Sequence, residues 1–151
     1  MMKDKNYKIR LIEHCIVLQE QALTNIRKVM EEVEEEVAGY GPPKDRYDGF
    51  RNQQARRRSL YARQMEQAAV NLQMLRGIDP DRNFDEVAFG ALVLTNDTPF
   101  LVAVGLGLIR FEDEDVAVVS VVVPVFHAMK GKKAGENFGF NQKNYKILGI
   151  V

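Results

Sequence analysis

Tryptophan is absent from this 151-residue chain, cysteine occurs once and histidine twice. One cysteine, Cys15, excludes an internal disulfide and suits a reducing compartment. His14 and His127 fall in no metal-ligand spacing, which argues against a zinc site built on them. Net charge is lacking too: 21 basic residues balance 21 acidic ones, so bulk charge singles out no partner. No apolar run approaches the ~20 residues of a membrane helix, and the N-terminal MMKDKNYK does not read as a signal peptide. A composition of 46% hydrophobic and 28% charged residues is ordinary for a globular chain. The expectation is a cytoplasmic protein without a membrane partner.

What is present divides into two textures. From Tyr7 to Leu75 the only strong breaker cluster is Gly39-Tyr40-Gly41-Pro42-Pro43, and apolar residues recur on both sides of it at helical spacing. After Gly77 the segment Ile78 to Asn83 reads as a linker, and β-branched runs follow. This gives an expected helical domain over 1–78 and a β domain over 79–151.

The first helical stretch carries a three-four repeat: Ile9, Ile12, Ile16, Gln19, Leu23, Ile26, Met30, Val33, Val37. Only Gln19 in it is polar. The second stretch matches it with Tyr61, Met65, Ala68, Leu72 and Leu75. Such spacing is a coiled-coil seam. Folding back at Pro42-Pro43 pairs Ile12 with Leu75, Ile16 with Leu72, Leu23 with Met65, Ile26 with Tyr61 and Val37 with Phe50. The residue numbers of these pairs add to 87 or 88, which predicts an antiparallel hairpin. Roughly 34 residues per arm at ~1.5 Å each makes a rod of about 50 Å. Glu31, Glu32, Glu34, Glu35 and Glu36 then lie near Arg56, Arg57 and Arg58. Those charges read either as flanking interhelical ion pairs or as a basic face for nucleic acid.

In the second half, strands are expected at Val87–Thr95, Phe100–Val104, Val116–Val122, Asn137–Phe140 and Tyr145–Val151. Asn96-Asp97 supplies one turn and Gly105 to Asp115 a longer one. Pro124 and Gly131 bracket a short helix, with proline at its start and glycine past its end. The fold class is α+β: an antiparallel helical hairpin followed by a small β domain with one short helix.

Searches for catalytic residues find little. His14 reads as a surface or flanking residue, and Cys15 as a small packing residue rather than a nucleophile. Gly105-Leu106-Gly107 lacks a phosphate-loop lysine and reads as a β turn. The hairpin tip is different. Lys44-Asp45-Arg46-Tyr47-Asp48 places two carboxylates three apart, on one face of a starting helix. They read either as helix N-terminal caps or as a paired site whose hard oxygens suit Mg²⁺.

Taken in order, these features resemble the Gre transcript-cleavage factors of bacterial RNA polymerase over almost the whole chain. The tip acids match Asp45 and Asp48. Val87-Ala88-Phe89-Gly90-Ala91-Leu92-Val93 and Phe100 to Gly105 are similar to the family's first two strands. Ser120 to Pro124 followed by Met129 to Glu136 resembles its Ser-Pro and Gly-Lys stretch, and Tyr145 to Ile150 its closing strand. The order and spacing of these motifs carry the specificity.

The resemblance implies an FKBP-like C-terminal domain that docks at the rim of the polymerase secondary channel through Val123 and Pro124. It also implies that Asp45 and Asp48 reach the polymerase active site. There they would share a Mg²⁺ ion, so that the polymerase hydrolyses backtracked nascent RNA. The chain is then an accessory factor with no cofactor of its own, and Arg51, Arg56, Arg57 and Arg58 are candidate nucleic-acid contacts.

Two departures bear on this. The family has Asp followed three later by Glu, where this chain has Asp48 followed by Gly49, and Lys44 and Arg46 flank Asp45. It has Ser before the proline, where this chain has Val123. A channel-binding regulator without cleavage activity is the alternative. A peptidyl-prolyl isomerase is a remote third reading, for which the absence of tryptophan leaves no aromatic pocket in the sequence.

Overall fold

The computed structural model describes residues 3–40 and 49–151. Two compact units form: Met1–Cys15 together with Met74–Val151, and Ile16–Gln73. The change of texture near Asp79 therefore marks where strands begin, while packing groups the start of the first helix with the β strands.

Helix α1 spans Lys5–Tyr40 and α2 spans Gly49–Arg76. Asp4 opens α1 as a cap, its carboxylate accepting from the Tyr7 backbone N–H at 3.0 Å. Within Ile16–Gln73 the arms are antiparallel. Early on α1, Gln19 bonds Asn71 late on α2, and Glu36 late on α1 bonds Gln54 early on α2. Both pairs add to 90, two or three residues from the register expected above. Apolar periodicity alone does not distinguish offsets this close. Val33, Ala68 and Leu72 are buried along the seam, while Leu23, Ile26, Met30, Tyr61 and Met65 are half-buried.

The ion pairs anticipated between the two charge runs reduce, among the described residues, to Glu36 with Arg57 at 3.8 Å. Both partners are about half exposed, so the pair contributes little. Glu31, Glu32, Glu34 and Glu35 stand exposed on α1.

In the other unit the described residues form a six-stranded mixed sheet and a short helix. The strands are β1 (Leu92–Thr95), β2 (Phe100–Val102), β3 (Gly107–Phe111), β4 (Glu114–Val119), β5 (Asn137–Phe140) and β6 (Lys143–Ile150). Helix α3 is Pro124–Met129. The sheet order is β3-β4-β2-β1-β6-β5, antiparallel throughout except that β2 and β4 run parallel.

Alternation along the strands sorts side chains onto two faces. Val93, Phe100, Val102, Phe138 and Ile147 gather with Val125, Phe126 and Met129 of α3 in one core. Leu92, Leu101, Val116 and Val118 point the other way and are also fully buried. The first turns of α1 pack in this same unit: Tyr7, Leu11, Ile12 and Cys15 are buried, and the Tyr7 ring meets Phe111 edge-on at 5.5 Å. Each fully buried leucine stabilises the unit by roughly 1.5–3 kcal/mol.

Strand β3 falls where a long turn is expected from the sequence. Two things hide it. Its burial is shallow because it lies at the sheet edge, and its hairpin turn to β4 uses no glycine. Glu112 and Asp113 carry φ of 49° and 65°, the two positive values of a two-residue type I′ turn. Arg10 grips that turn through Glu112 at 2.8 and 3.3 Å. Asn141 and Gln142 turn β5 into β6 in the same way, with φ of 51° and 62°.

The first expected strand is shorter than its apolar run. Gly90 sits at φ 91°, where a Cβ would come within 3.4 Å of the Phe84 ring, and that bend ends the extended run before β1 begins. The α3 expectation holds: Pro124 opens the helix and Gly131, at φ 74°, follows its end.

Candidate functional site

The residues singled out in the sequence fall into two groups, one in each unit. Asp45 and Asp48, with Lys44 and Arg46, lie outside the described residues, and their arrangement is a matter of sequence alone. The arginines of the same arm are on the first turns of α2. Arg56 and Arg57 are exposed, whereas Arg51 and Arg58 are half-buried. Arg57 donates to the Gln54 side-chain oxygen at 3.1 Å, so it is partly occupied within the hairpin.

The second group is the loop from β4 into α3. Val123 is the N-cap residue of α3, with extended backbone (φ −85°, ψ 152°) and no side-chain cap. Its carbonyl accepts from the N–H groups of Phe126 and His127 at 3.1 and 3.3 Å. Val121 and Val123 lean against the core while Pro124 is exposed. Between them Val122 is 76% exposed, the most exposed large apolar side chain among the described residues. Sequence reasoning named Val123 and Pro124 but missed Val122. The signal available was a run of three valines continuing past the point where β4 must end to let Pro124 start a helix.

The two histidines do not meet. His127 is exposed at the end of α3, and His14 packs its ring 5.1 Å from Phe111. Cys15 is fully buried, and burial pushes its thiol up to about 12, as suits a packing residue and not a nucleophile. Among the described residues no three His, Cys, Asp or Glu side chains gather as a metal-binding group. No helix of the described residues is long and apolar enough to cross a membrane.

A polar cluster around the start of α1 was not anticipated. Lys8 is fully buried, donates to the Val151 main-chain oxygen at 2.9 Å and lies 4.6 Å over the Phe84 ring. Burial, helped by the nearby Lys5 and Arg82 cations, lowers its ammonium pKa to about 8. Tyr7 beside it is pushed well above the usual phenol range by burial and by Glu114, whose carboxylate it contacts at 3.4 Å. Lys8 lies on the same helical stripe as Leu11, Ile12 and Cys15, and that spacing was the available clue.

No protein-family model and no curated protein matches the chain. Among solved structures it is similar to the GreA factor homolog 1 (Gfh1) protein of Thermus thermophilus. That alignment has 11% identity and a TM-score of 0.36, covering 94% of this chain and 93% of the other. A second structure of the transcription factor Gfh1 aligns at 13% identity and a TM-score of 0.37, covering 89% and 92%. Likeness at that level leaves the function to be argued from this chain's own residues.

Proposed function

We propose that the chain is a Gre-like transcription elongation factor that binds bacterial RNA polymerase at its secondary channel. In this reading the β unit docks at the channel rim and the hairpin delivers Asp45 and Asp48 to the polymerase active site. The observation that carries it is the loop before α3. Its exposed Val122 adjoins Val123 and Pro124, the residues that the sequence resemblance marks for docking. An aliphatic group held out into water on the loop that opens α3 suits a contact that another protein's surface completes.

At the tip, two aspartates three apart offer oxygen ligands of the kind Mg²⁺ takes, usually one or two carboxylates with waters retained. A Mg²⁺ held jointly with the polymerase would stabilise charge on the phosphodiester under attack. The part played by this chain in that reading is to supply the two carboxylates from the segment that joins its antiparallel arms.

A backtracked elongation complex tests the reading. Wild-type protein should shorten the 3′ end of the RNA. Asp45→Ala with Asp48→Ala should abolish that shortening, a loss of at least ~100-fold for ligands acting on the reacting phosphate, while binding to polymerase persists. Equal cleavage with the double variant would remove the tip from the chemistry. Slowed elongation without cleavage by the wild type would favour the channel-blocking alternative, which Lys44 and Arg46 support by offering intramolecular partners to the acids. For the isomerase reading, Phe100, Phe126 and Phe138 are spent in the core at 5%, 4% and 3% exposure and do not line an open aromatic cleft.

A further inference from the structure

From Val116 to Gly135 the chain carries no acidic residue, while Lys130, Lys132 and Lys133 fall close together within it. Helix α3 sorts this stretch. Val125, Phe126 and Met129 are buried in the core, and Pro124, His127 and Lys130, spaced by three, stand exposed on the opposite side. That exposed row begins beside Val122, 76% exposed. It ends at Lys130, roughly 9 Å beyond Pro124 for six residues at ~1.5 Å each.

The turn that follows is tied through its main chain, with Lys130 and Lys133 exposed on it and Lys132 half-buried. Gly131 adopts a φ of 74° and its N–H donates to the Val87 oxygen at 3.0 Å, while the Val87 N–H donates to the Lys132 oxygen at 2.9 Å. On the far side the Gly135 N–H donates to the Ile147 oxygen at 2.8 Å, and Glu136 accepts from the Lys133 N–H at 2.9 Å. Among the described residues the ammonium groups of Lys130, Lys132 and Lys133 form no ion pair, whereas Lys3 and Lys143 are each paired. Lys130 gains a little from the C-terminal end of α3. Lys132 and Lys133, beyond Gly131, do not.

Two kinds of anionic partner meet cations of this sort, and the neighbouring side chains separate them. A nucleic-acid strand is held by rings that stack on successive bases beside the charges. Here the exposed row offers one imidazole, His127, and Phe126 and Phe138 are turned into the core at 4% and 3% exposure. What leads into the lysines is aliphatic, Val122 and Pro124, a mixture that suits a protein surface. We propose that the docking surface continues from Val122 and Pro124 along the exposed row of α3 to Lys130 and Lys133, and that it meets a carboxylate-rich protein surface. That this partner is RNA polymerase rests on the function proposed above; that it is acidic does not. The aliphatic end supplies hold, while the lysines at the rim speed encounter and set orientation.

Association of the full chain with immobilised RNA polymerase, followed at roughly 0.05 and 0.5 M salt, reads the two ends separately. Wild type should associate about tenfold faster at the lower salt. Lys130→Glu with Lys133→Glu should lose most of that gap and leave dissociation little changed, as expected of rim charges. Lys130→Arg with Lys133→Arg should keep the gap, since the charge is retained. Val122→Ala should instead hasten dissociation and leave the salt dependence as in wild type. An equal melting temperature shows each fold intact. Should the glutamate pair fail this, Lys130→Gln with Lys133→Gln is read in the same way.

A charge-altered pair that associates with the speed and salt dependence of wild type overturns the proposal. Poly-L-glutamate, followed by NMR on the full chain, probes the surface without polymerase. Amide shifts should centre on Val122 to Lys133 and vanish in the glutamate pair. No shift there, or shifts centred on Arg56 to Arg58, overturns the assignment. So does a single-stranded RNA oligonucleotide that shifts these amides where poly-L-glutamate does not. A wild type that ignores polymerase but takes poly-L-glutamate on this face counts against the proposed function alone.

Discussion

A lysine with 0% exposure, bonded to the Val151 main-chain oxygen, is an uncommon tenant of a core. Lys8 is held by that carbonyl and one ring face, and the cost of burial shows in its pKa, lowered to about 8. The unfolded chain, with an ordinary lysine at 10.5, keeps its proton across the window from about 8 to 10.5 where the folded chain releases it. The unfolded state then binds more protons, so this group adds stability as pH rises through that window. Below pH 8 the full penalty remains. Lys8→Met should therefore raise stability at pH 7 by ~1–3 kcal/mol, since each tenfold loss of proton affinity corresponds to about 1.4 kcal/mol. The Val151 oxygen it abandons still accepts from the Leu92 N–H at 2.9 Å. Urea unfolding of both proteins at pH 7, 9 and 10 checks this: the gap between them should narrow steadily. Comparing the two cancels the opposite trends of Cys15 and Tyr7, whose raised values withdraw stability above pH 9 and 10. A gap constant with pH would mean that Lys8 is not strained. In sequence only its place on the stripe of Leu11, Ile12 and Cys15 sets Lys8 apart from a surface lysine, because its burial depends on a sheet formed some 80 residues later.

At the scale of elements, legibility followed periodicity. Both long helices, the proline-opened α3 and most of the central strands could be read, since each has a repeat or a bracket that acts within a few residues. Strand β3 could not. Among the described residues it pairs with β4 alone, and its Glu112-Asp113 turn mimics a charged loop while holding φ values usually left to glycine or asparagine. The seam showed a hairpin but not its offset, because apolar residues at heptad spacing admit neighbouring offsets. Gln19 was visible as the one polar member of the α1 repeat. Gln54 was not, because α2 offers few apolar positions before Tyr61. Of the candidate site, the Val123-Pro124 loop was legible and the tip only as a spacing of acids. Val122 carries the test at this scale. Val122→Asp should weaken polymerase binding at least tenfold, as loss of a central apolar anchor does, with the melting temperature unchanged because the side chain buries almost nothing in the free protein. Unaltered binding would move the docking surface elsewhere.

For the whole molecule, the division into units has an arrangement that the order of the chain conceals. The segment 1–15 and the segment 74–151 belong to one compact body, tied by Lys8 to Val151, Arg10 to Glu112 and Lys3 to Glu114. The hairpin Ile16–Gln73 is thus an insertion, an excursion that leaves the body at Cys15 and returns at Met74. Insertions of this kind can be excised. A chain in which a short Gly/Ser linker joins Cys15 to Met74 should unfold cooperatively in urea and compete with wild type for polymerase, with no cleavage. Residues 80–151 alone, lacking Tyr7, Leu11, Ile12 and Cys15, which are buried in the same unit, should be markedly less stable than that excised chain. Equal stability of the two would mean that the first helical turns are ornament to the body. During synthesis the consequence is one of timing: the start of α1 leaves the ribosome early and waits for β6 before its own core can close.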